Sequence, residues 1–204
     1  MGLPAYAASY LGEDEPLLAA RGHAADLGGT EPVDPVVGAA LRLLACSVGA
    51  RTVVEIGTGC GTSGIWLLRG MRPGGTLTSV DTEPEYHRMA RKAFAQAGFA
   101  QNQCRLISGR ALDVLPRLSD GAYDMVFCDT DARDYPDYLA AALRLLRPGG
   151  VVAFNNALAG EGPAEGPADG PAPDVAQQVR DDDRLVPVLL PLGAGLLVAV
   201  KKGD

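Results

Sequence analysis

The sequence predicts an α/β fold in which a doubly wound, mostly parallel sheet is covered by helices on both faces. Apolar stretches of strand length alternate with helical segments from about residue 50 to residue 155, which is typical of parallel sheets. The first strand ends in Glu55 and leads into a glycine-dense turn, and the second ends in Asp81. Right-handed crossovers bring the carboxyl ends of parallel strands to one edge, so these acidic residues are predicted to lie together.

The individual elements follow from local signals. Asp34 and Pro35 are typical of a helix N-cap and first position, and Thr82 with Glu85 predicts a capping box for a later helix that ends at Gly98. Residues 1–30 are interpreted as an N-terminal arm with one short helix, before a single domain over 31–204. The predicted strands are Thr52–Ile56, Thr76–Val80, Cys104–Ile107, Tyr123–Cys128, Val151–Phe154, Leu185–Leu190 and Gly195–Lys201. The other predicted helices are Thr62–Met71, Ala111–Leu118, Tyr135–Leu146 and one around Asp174–Asp181.

The C-terminal third contains a change of composition and a change of strand direction. Residues 159–173 repeat glycine, proline, alanine and acids without larger apolar side chains, and such a segment cannot bury a core, so a mobile loop is predicted. Only four residues, 191–194, join the last two strands. So short a connection requires an antiparallel pair.

The composition excludes several classes of function. The net charge is −7, whereas nucleic-acid binding requires a basic face. The four cysteines and two histidines lack the spacing of a zinc site or a disulfide framework. The first residues lack the basic segment and the apolar stretch of a signal peptide, so we expect none. Prolines and glycines interrupt the longest apolar stretch, so we expect a cytoplasmic protein without a membrane span.

The run VVEIGTGCGTSG, followed by SVD, predicts a nucleoside-binding site. Glycines allow close approach of a ligand, a helix N-terminus offers free N–H groups, and a carboxylate after the second strand can accept bonds from a ribose. The letters from Gly59 to Gly64 formally satisfy G-x-G-x-x-G, which keeps a Rossmann-type NAD(P) oxidoreductase open. However, the tight turn begins at Gly57, so the frame is E-x-G-x-G-x-G. That frame resembles motif I of class I S-adenosylmethionine (SAM) methyltransferases.

Further motifs resemble the bacterial O-methyltransferases similar to caffeoyl-CoA and catechol O-methyltransferases, in their short actinobacterial branch. They are SVDTEPEYHRMAR, SGRALDVLPRL, YDMVFCDTDARDYPDY and LLRPGGVVAFNNAL. The resemblance implies a Rossmann-like class I methyltransferase with a seven-stranded, mostly parallel sheet and an antiparallel C-terminal strand. It also implies SAM as cofactor, O-methylation of a small phenolic or catechol-like acceptor, and a homodimer. The apolar N-terminal helix is a candidate dimer contact.

The same resemblance implies a role for individual residues. Val33 would pack beside the methionine part of SAM, Glu55 would line the pocket, and Ser63 would bond the methionine carboxylate. Asp81 would accept the ribose hydroxyls. The remaining implied cofactor contacts are Gly57, Thr58 and Gly59 at the pocket floor, Thr82 and Ala111 at the adenine, and Asp129 and Asp131 where cofactor and acceptor meet.

The sequence departs from the metal-dependent members of that family at two positions. Those members carry D-A-D-K after the fourth strand and D-N after the fifth, whereas this chain has Ala132 at the lysine position and the pair Asn155-Asn156. Hard divalent cations prefer carboxylates and water, so we expect no tightly bound metal ion. With the lysine missing, Asp129 becomes the candidate catalytic base. A SAM-binding protein with lost or altered catalysis is the alternative.

Overall fold

A computed structural model of the chain describes residues 12–28, 31–158 and 175–203, together with Tyr6 and Tyr10. The loop predicted at 159–173 lies outside these residues. The strands are β1 (Thr52–Ile56), β2 (Thr76–Asp81), β3 (Cys104–Ser108), β4 (Tyr123–Cys128), β5 (Leu146–Phe154), β6 (Leu185–Leu190) and β7 (Leu196–Lys201). The α-helices of at least four residues are α1 (Glu15–Leu27), α2 (Pro35–Ser47), α3 (Thr62–Gly70), α4 (Pro84–Gln96), α5 (Ala111–Val114), α6 (Tyr135–Leu145) and α7 (Val175–Asp181).

The described strands form one sheet of seven in the order β3-β2-β1-β4-β5-β7-β6. The first five strands pair in parallel. Strand β7 runs antiparallel to both of its neighbours, β5 and β6. The predicted doubly wound sheet with an antiparallel C-terminal strand is therefore confirmed.

The carboxyl ends of the central strands are in register. Ile56 of β1 lies beside Val80 of β2 and Cys128 of β4, and Cys128 lies beside Phe154 of β5. The hydrogen bonds continue one residue past the strands, because the N–H groups of residues 57, 129 and 155 donate to the carbonyls of Val80, Ile56 and Cys128 in neighbouring strands. This register places the residues that follow β1, β4 and β5 side by side.

The sheet separates two apolar layers. Helices α1 to α4 cover one face, where Leu41, Trp66 and Phe94 are buried together. Helices α5 to α7 cover the other face, where Tyr135 and Phe154 are buried. The pairing of α2 with α3 depends on small residues: a side-chain carbon at Gly38 would lie 2.3 Å from the Trp66 ring, so only glycine permits this helix spacing.

Helix α1 is part of the first layer. Its Leu17, Ala20 and Ala24 are at most 1% exposed. An ion pair between Asp14 and Arg69 ties the start of α1 to α3, with an N–O distance of 2.6 Å. No helix within the described residues combines the length and the apolar character needed to span a membrane.

Three local predictions were wrong. The capping box at Thr82 does not form, because the N-cap of α4 is Glu83 and its N–H is bonded by the Asp81 carboxylate at 3.1 Å. The helix predicted at Ala111–Leu118 ends as an α-helix at Val114 and continues as a 3₁₀ turn that contains Pro116, which has no N–H to donate. The fifth strand, predicted to begin at Val151, begins at Leu146, and residues 147–150 form an irregularity in its pairing with β4.

Candidate functional site

The turn after β1 brings the backbone close to the end of β4. Gly57 has a φ of +94°, and a side-chain carbon there would lie 2.2 Å from the carbonyl oxygen of Asp129. Any other residue would therefore be strained and would also collide with the neighbouring strand. The glycine at this position fixes the distance between the β1 turn and the β4 turn.

Asp81 holds this glycine turn from the end of the neighbouring strand. One oxygen of its carboxylate accepts the N–H of Thr58 at 2.8 Å and the N–H of Gly59 at 3.1 Å. The other oxygen accepts the N–H of Glu83. A carboxylate offers about four acceptor sites, so Asp81 braces the turn and still has capacity for a ligand hydroxyl.

Glu55 lies beneath the turn as a fully buried carboxyl group. Its two oxygens accept the hydroxyls of Ser63 and Ser79, each at 2.6 Å. Since the single Ser79 proton is donated to Glu55, the Thr58 hydroxyl is the donor in its 2.7 Å contact with Ser79. Burial raises the pKa of Glu55 to about 7, and the carboxylates of Asp129 and Asp81 add to the rise, while the two serine donors oppose it.

The Ser63 contact bears on the role that the resemblance implies for this residue. Ser63 is buried at the start of α3, and its hydroxyl has one proton to donate. While it donates that proton to Glu55, it cannot donate it to a ligand carboxylate. The unpaired N–H groups at the N-terminus of α3 remain available to an anion. The bond from Ser63 to a methionine carboxylate stays a prediction.

Two cavities flank the glycine turn. The first has a volume of about 200 Å³ and includes Val33, Thr58, Gly59, Ser63 and Asp129 in its lining. The second has a volume of about 210 Å³ and includes Thr82, Ala111 and Asp131. Gly57, Asp81 and Thr130 line both cavities. Together they form a cleft that can hold an elongated ligand bent across the turn.

The structure thus gathers ten of the eleven residues that the resemblance implied for the cofactor around one cleft. Glu55, the eleventh, lies beneath the turn. Asp131 lies at the second cavity with Thr82 and Ala111, away from Asp129 in the first. Arg133 donates to the Asp131 carboxylate through its backbone N–H and its guanidinium, which lowers the pKa of Asp131 to about 2.

Asp129 and Asn155 form a hydrogen-bonded pair at the junction of β4 and β5. The Asn155 Nδ2 donates to Asp129 Oδ1 at 2.9 Å. Burial raises the pKa of Asp129, and the bond from Asn155 opposes the rise. Asn155 is 4% exposed, and among the described residues its Oδ1 has no hydrogen-bond partner. The pair therefore combines the Asp129 carboxylate, whose proton affinity is raised, with the Asn155 amide oxygen, which has no hydrogen-bond partner among the described residues.

A third cavity, of about 440 Å³, lies next to this pair. Asn155 and Asn156 line it together with the turn between β6 and β7. The segment 31–33 lines both the third and the first cavity, and so forms the wall between them. The Arg21 guanidinium holds this wall by donating to the carbonyl oxygen of Val33 at 2.8 Å.

The side chains at the ends of β4 and β5 can be compared with the divalent metal site of the metal-dependent O-methyltransferases. One carboxylate, Asp129, and two amides, Asn155 and Asn156, occupy the corresponding positions, and one Asp129 oxygen already accepts the Asn155 amide. Nowhere in the described ranges do three His, Cys, Asp or Glu side chains cluster as metal ligands would. A single carboxylate with two amides is a poor match to the ligand preference of Mg²⁺.

Sequence reasoning missed several residues that line these cavities. They include Ala24, Glu31, Pro32, Cys60, Thr62, Tyr86, Arg110, Thr130, Asp134 and Tyr138. Thr130 carried a usable signal, because it lies between two predicted site residues after β4. Ala24 and Glu31 carried none, because their position depends on how the N-terminal segment packs against α3 and α4.

Three comparisons place this geometry among known proteins. A model of the O-methyltransferase family matches residues 28–202. The protein named "Probable O-methyltransferase Rv1220c" from Mycobacterium tuberculosis is 48% identical over 201 residues, which are 97% of this chain and 89% of that protein.

Solved structures with a bound cofactor or its product share the fold. The O-methyltransferase TomG from Streptomyces achromogenes, involved in tomaymycin synthesis and solved with SAM, has a TM-score of 0.87 and 31% identity, covering 98% of this chain and 96% of TomG. An O-methyltransferase from Bacillus cereus, solved with SAH, has a TM-score of 0.83 and 26% identity, covering 97% and 96%.

Proposed function

The chain belongs to the O-methyltransferase family, and we propose that it transfers a methyl group from SAM to a hydroxyl of a small phenolic or catechol-like molecule. The observation that carries the proposal is the cleft formed by the first and second cavities around the glycine turn, next to the Asp129–Asn155 pair. Its two cavities share Gly57, Asp81 and Thr130 in their linings, so a nucleoside in one can be joined to an amino acid in the other. The family match argues against a dinucleotide oxidoreductase.

The residues divide the work of binding. The second cavity, with Thr82 and Ala111, takes the adenine, and Asp81 bonds the ribose hydroxyls while it braces the turn. The first cavity takes the methionine part, with Val33 on one side. The N-terminus of α3 and Ser63 face its carboxylate. SAM, when bound, supplies a methyl group that is already activated by its sulfonium.

The remaining task of the protein is alignment and removal of one proton. Holding donor and acceptor in adjoining cavities makes the reaction effectively intramolecular. Asp129 accepts the proton of the acceptor hydroxyl, so that the oxygen attacks as a phenolate. Burial raises the pKa of Asp129, which makes its carboxylate a stronger base than an exposed aspartate.

The proposed reaction needs no divalent metal ion. Metal independence is supported by the residues at the ends of β4 and β5. They offer one carboxylate at the metal-ligand positions, where the metal-dependent members of the family have two. Turnover should persist in EDTA and should not rise on addition of Mg²⁺. Activity abolished by chelation and restored by Mg²⁺ would overturn metal independence while leaving methyl transfer intact.

The decisive test combines binding and turnover. Isothermal titration should show binding of SAM and SAH and no binding of NAD. Mass spectrometry should then detect a methylated product from a panel of catechols, with and without EDTA. Cofactor binding without turnover of any phenol would instead support the alternative of a SAM-binding protein with lost or altered catalysis. The sequence feature behind this alternative is Ala132, which stands where the metal-dependent relatives have a lysine.

We also propose that the protein is a homodimer. The apolar N-terminal segment remains the candidate contact, and Leu18 on the outer side of α1 is 56% exposed. Light scattering at micromolar concentration should give twice the mass of the chain. A Leu18→Glu variant should then dissociate if α1 forms the contact.

A further inference from the structure

The third cavity is built as a binding site in its own right. Its volume of about 440 Å³ is in the range of small-molecule sites. Asn155 lines it, while the Asp129 partner of Asn155 lines the first cavity. A molecule in the third cavity therefore touches Asn155, whose amide is bonded to the Asp129 carboxylate in the cleft assigned to SAM.

The hydrogen bond to Asp129 fixes which way the Asn155 amide points. Its Nδ2 must face the carboxylate, because a carboxylate only accepts hydrogen bonds. Its Oδ1 is therefore the side-chain atom with acceptor capacity left, and this buried oxygen has no partner among the described residues. A buried acceptor without a partner costs free energy, and a ligand that donates a hydrogen bond removes the cost. A hydroxyl group can do so, and a carboxylate cannot.

The charges around the third cavity are predominantly negative. Glu31 and Asp34 line it and are exposed to solvent. The one cation among its described lining residues is Arg21, whose guanidinium is bonded to both oxygens of Glu13 at 2.6 and 2.8 Å. Because Glu13 neutralises the charge of Arg21, the carboxylates of Glu31 and Asp34 give the cavity a net negative potential. This potential repels an anionic ligand and attracts a cationic one.

We infer that the third cavity binds the methyl acceptor and selects a neutral or cationic hydroxylated aromatic molecule over an anionic one. The inference rests on the proposed function, since it specifies the acceptor of that reaction. The acceptor donates one hydroxyl to Asn155 Oδ1 and presents the neighbouring hydroxyl to Asp129. Its ring substituent extends towards Glu31 and Asp34, whose negative charges attract a cationic substituent and repel an anionic one.

The test uses three catechols that differ only in the charge of one substituent. They are dihydroxybenzylamine, dihydroxybenzyl alcohol and dihydroxybenzoate with the same ring pattern. The kcat/KM should be highest for the amine and at least about fivefold lower for the carboxylate at low ionic strength, and the gap should shrink at high salt because exposed charges are screened. Dissociation constants for the three compounds with SAH-loaded protein should follow the same order.

Charge-removing variants assign the effect to the cavity. Glu31→Gln and Asp34→Asn should each reduce the difference in kcat/KM between the amine and the carboxylate. The asparagine at position 34 can still cap the N-terminus of α2. Asp183→Asn is the matched control, because Asp183 is an exposed acid that lines none of the three cavities. It should leave the gap unchanged.

The outcomes separate this inference from the proposed function. Equal or better turnover of the carboxylate, or an unchanged gap in both cavity variants, overturns the charge selectivity and leaves the methyltransferase in place. Ranked binding without any turnover supports the charge selectivity and overturns the proposed reaction. Absence of both binding and turnover overturns both.

Discussion

The two ends of strand β4 hold aspartates in opposite environments. Asp124, near its start, accepts the N–H groups of Arg51 and Thr52 at 2.7 and 2.9 Å and the Arg147 guanidinium at 2.6 Å. Asp129, just past its end, accepts one side-chain bond from the described part of the chain, that of Asn155. The bonds to Asp124 outweigh its burial and lower its pKa, whereas burial raises the pKa of Asp129.

This contrast separates stability from chemistry along one strand. A carboxylate whose acceptor sites are filled by donors stabilises the folded chain in its ionised form. A buried carboxylate with one donor is destabilised in that form and is poised to take a proton. The amino-terminal edge of the sheet therefore ties β1, β4 and β5 together, and the carboxyl-terminal edge holds the proposed catalytic base.

The largest expected effect is at the reactive end. Asp129→Asn should lower kcat/KM by about 10²- to 10⁴-fold, the range for loss of a general base. The free energy of unfolding should stay the same or rise, because the amide carries no charge to desolvate. Steady-state kinetics and urea denaturation measure the two quantities. Asp137→Asn, an exposed acid on α6, is the control, and full activity of Asp129→Asn would exclude Asp129 as the base.

The opposite result is expected at the other end of β4. Asp124→Ala should lower the free energy of unfolding by about 2–3 kcal/mol, because it removes charge-assisted bonds and leaves the N–H groups of Arg51 and Thr52 without their acceptor. SAM affinity of the folded variant should not change. The matched control is Asp120→Ala, whose ion pair with Arg144 is at the surface and should contribute at most about 1 kcal/mol. Equal losses in both variants would contradict a special role of Asp124.

A third acid tests whether one carboxylate can serve both purposes. Asp81 braces the glycine turn through Thr58 and Gly59 and is also the proposed ribose ligand. Asp81→Ala should weaken SAM binding by about 1.5–3 kcal/mol, the range for hydrogen bonds to a charged group. Isothermal titration measures the change. Unchanged affinity in a folded variant would contradict the ribose assignment.

What the sequence predicted and what it missed follow the same division. Asp81 and Asp129 were predictable, because a polar residue directly after an apolar strand must lie at the carboxyl edge of a parallel sheet. The partners of Asp124 were not, since Arg51 and Arg147 are 73 residues and 23 residues away in sequence and no spacing rule joins them. The prediction of a capping box at Thr82 was wrong because it considered only the spacing of Thr82 and Glu85. The Asp81 carboxylate, which the sheet places nearby, accepts the N–H of Glu83 instead.

The smallest effect is the pH dependence of stability, and it has opposite signs at the two ends. The pKa of Asp124 is lower in the folded chain than in the unfolded chain, so the stability it contributes is complete above the unfolded value of about 4 and is lost as the pH falls through the lower folded value. The pKa of Asp129 is raised by folding, so its ionisation destabilises the protein as the pH rises from about 4 through the folded value.

These signs can be separated with asparagine variants, which cannot titrate. Relative to Asp124→Asn, the parent should gain free energy of unfolding as the pH rises through the acidic window below about 4. Relative to Asp129→Asn, the parent should lose it as the pH rises above that value. Urea denaturation of the three proteins across this range gives both slopes. Slopes of the same sign would show that burial and hydrogen bonding do not distinguish the two aspartates, and the contrast between the two ends of β4 would fail.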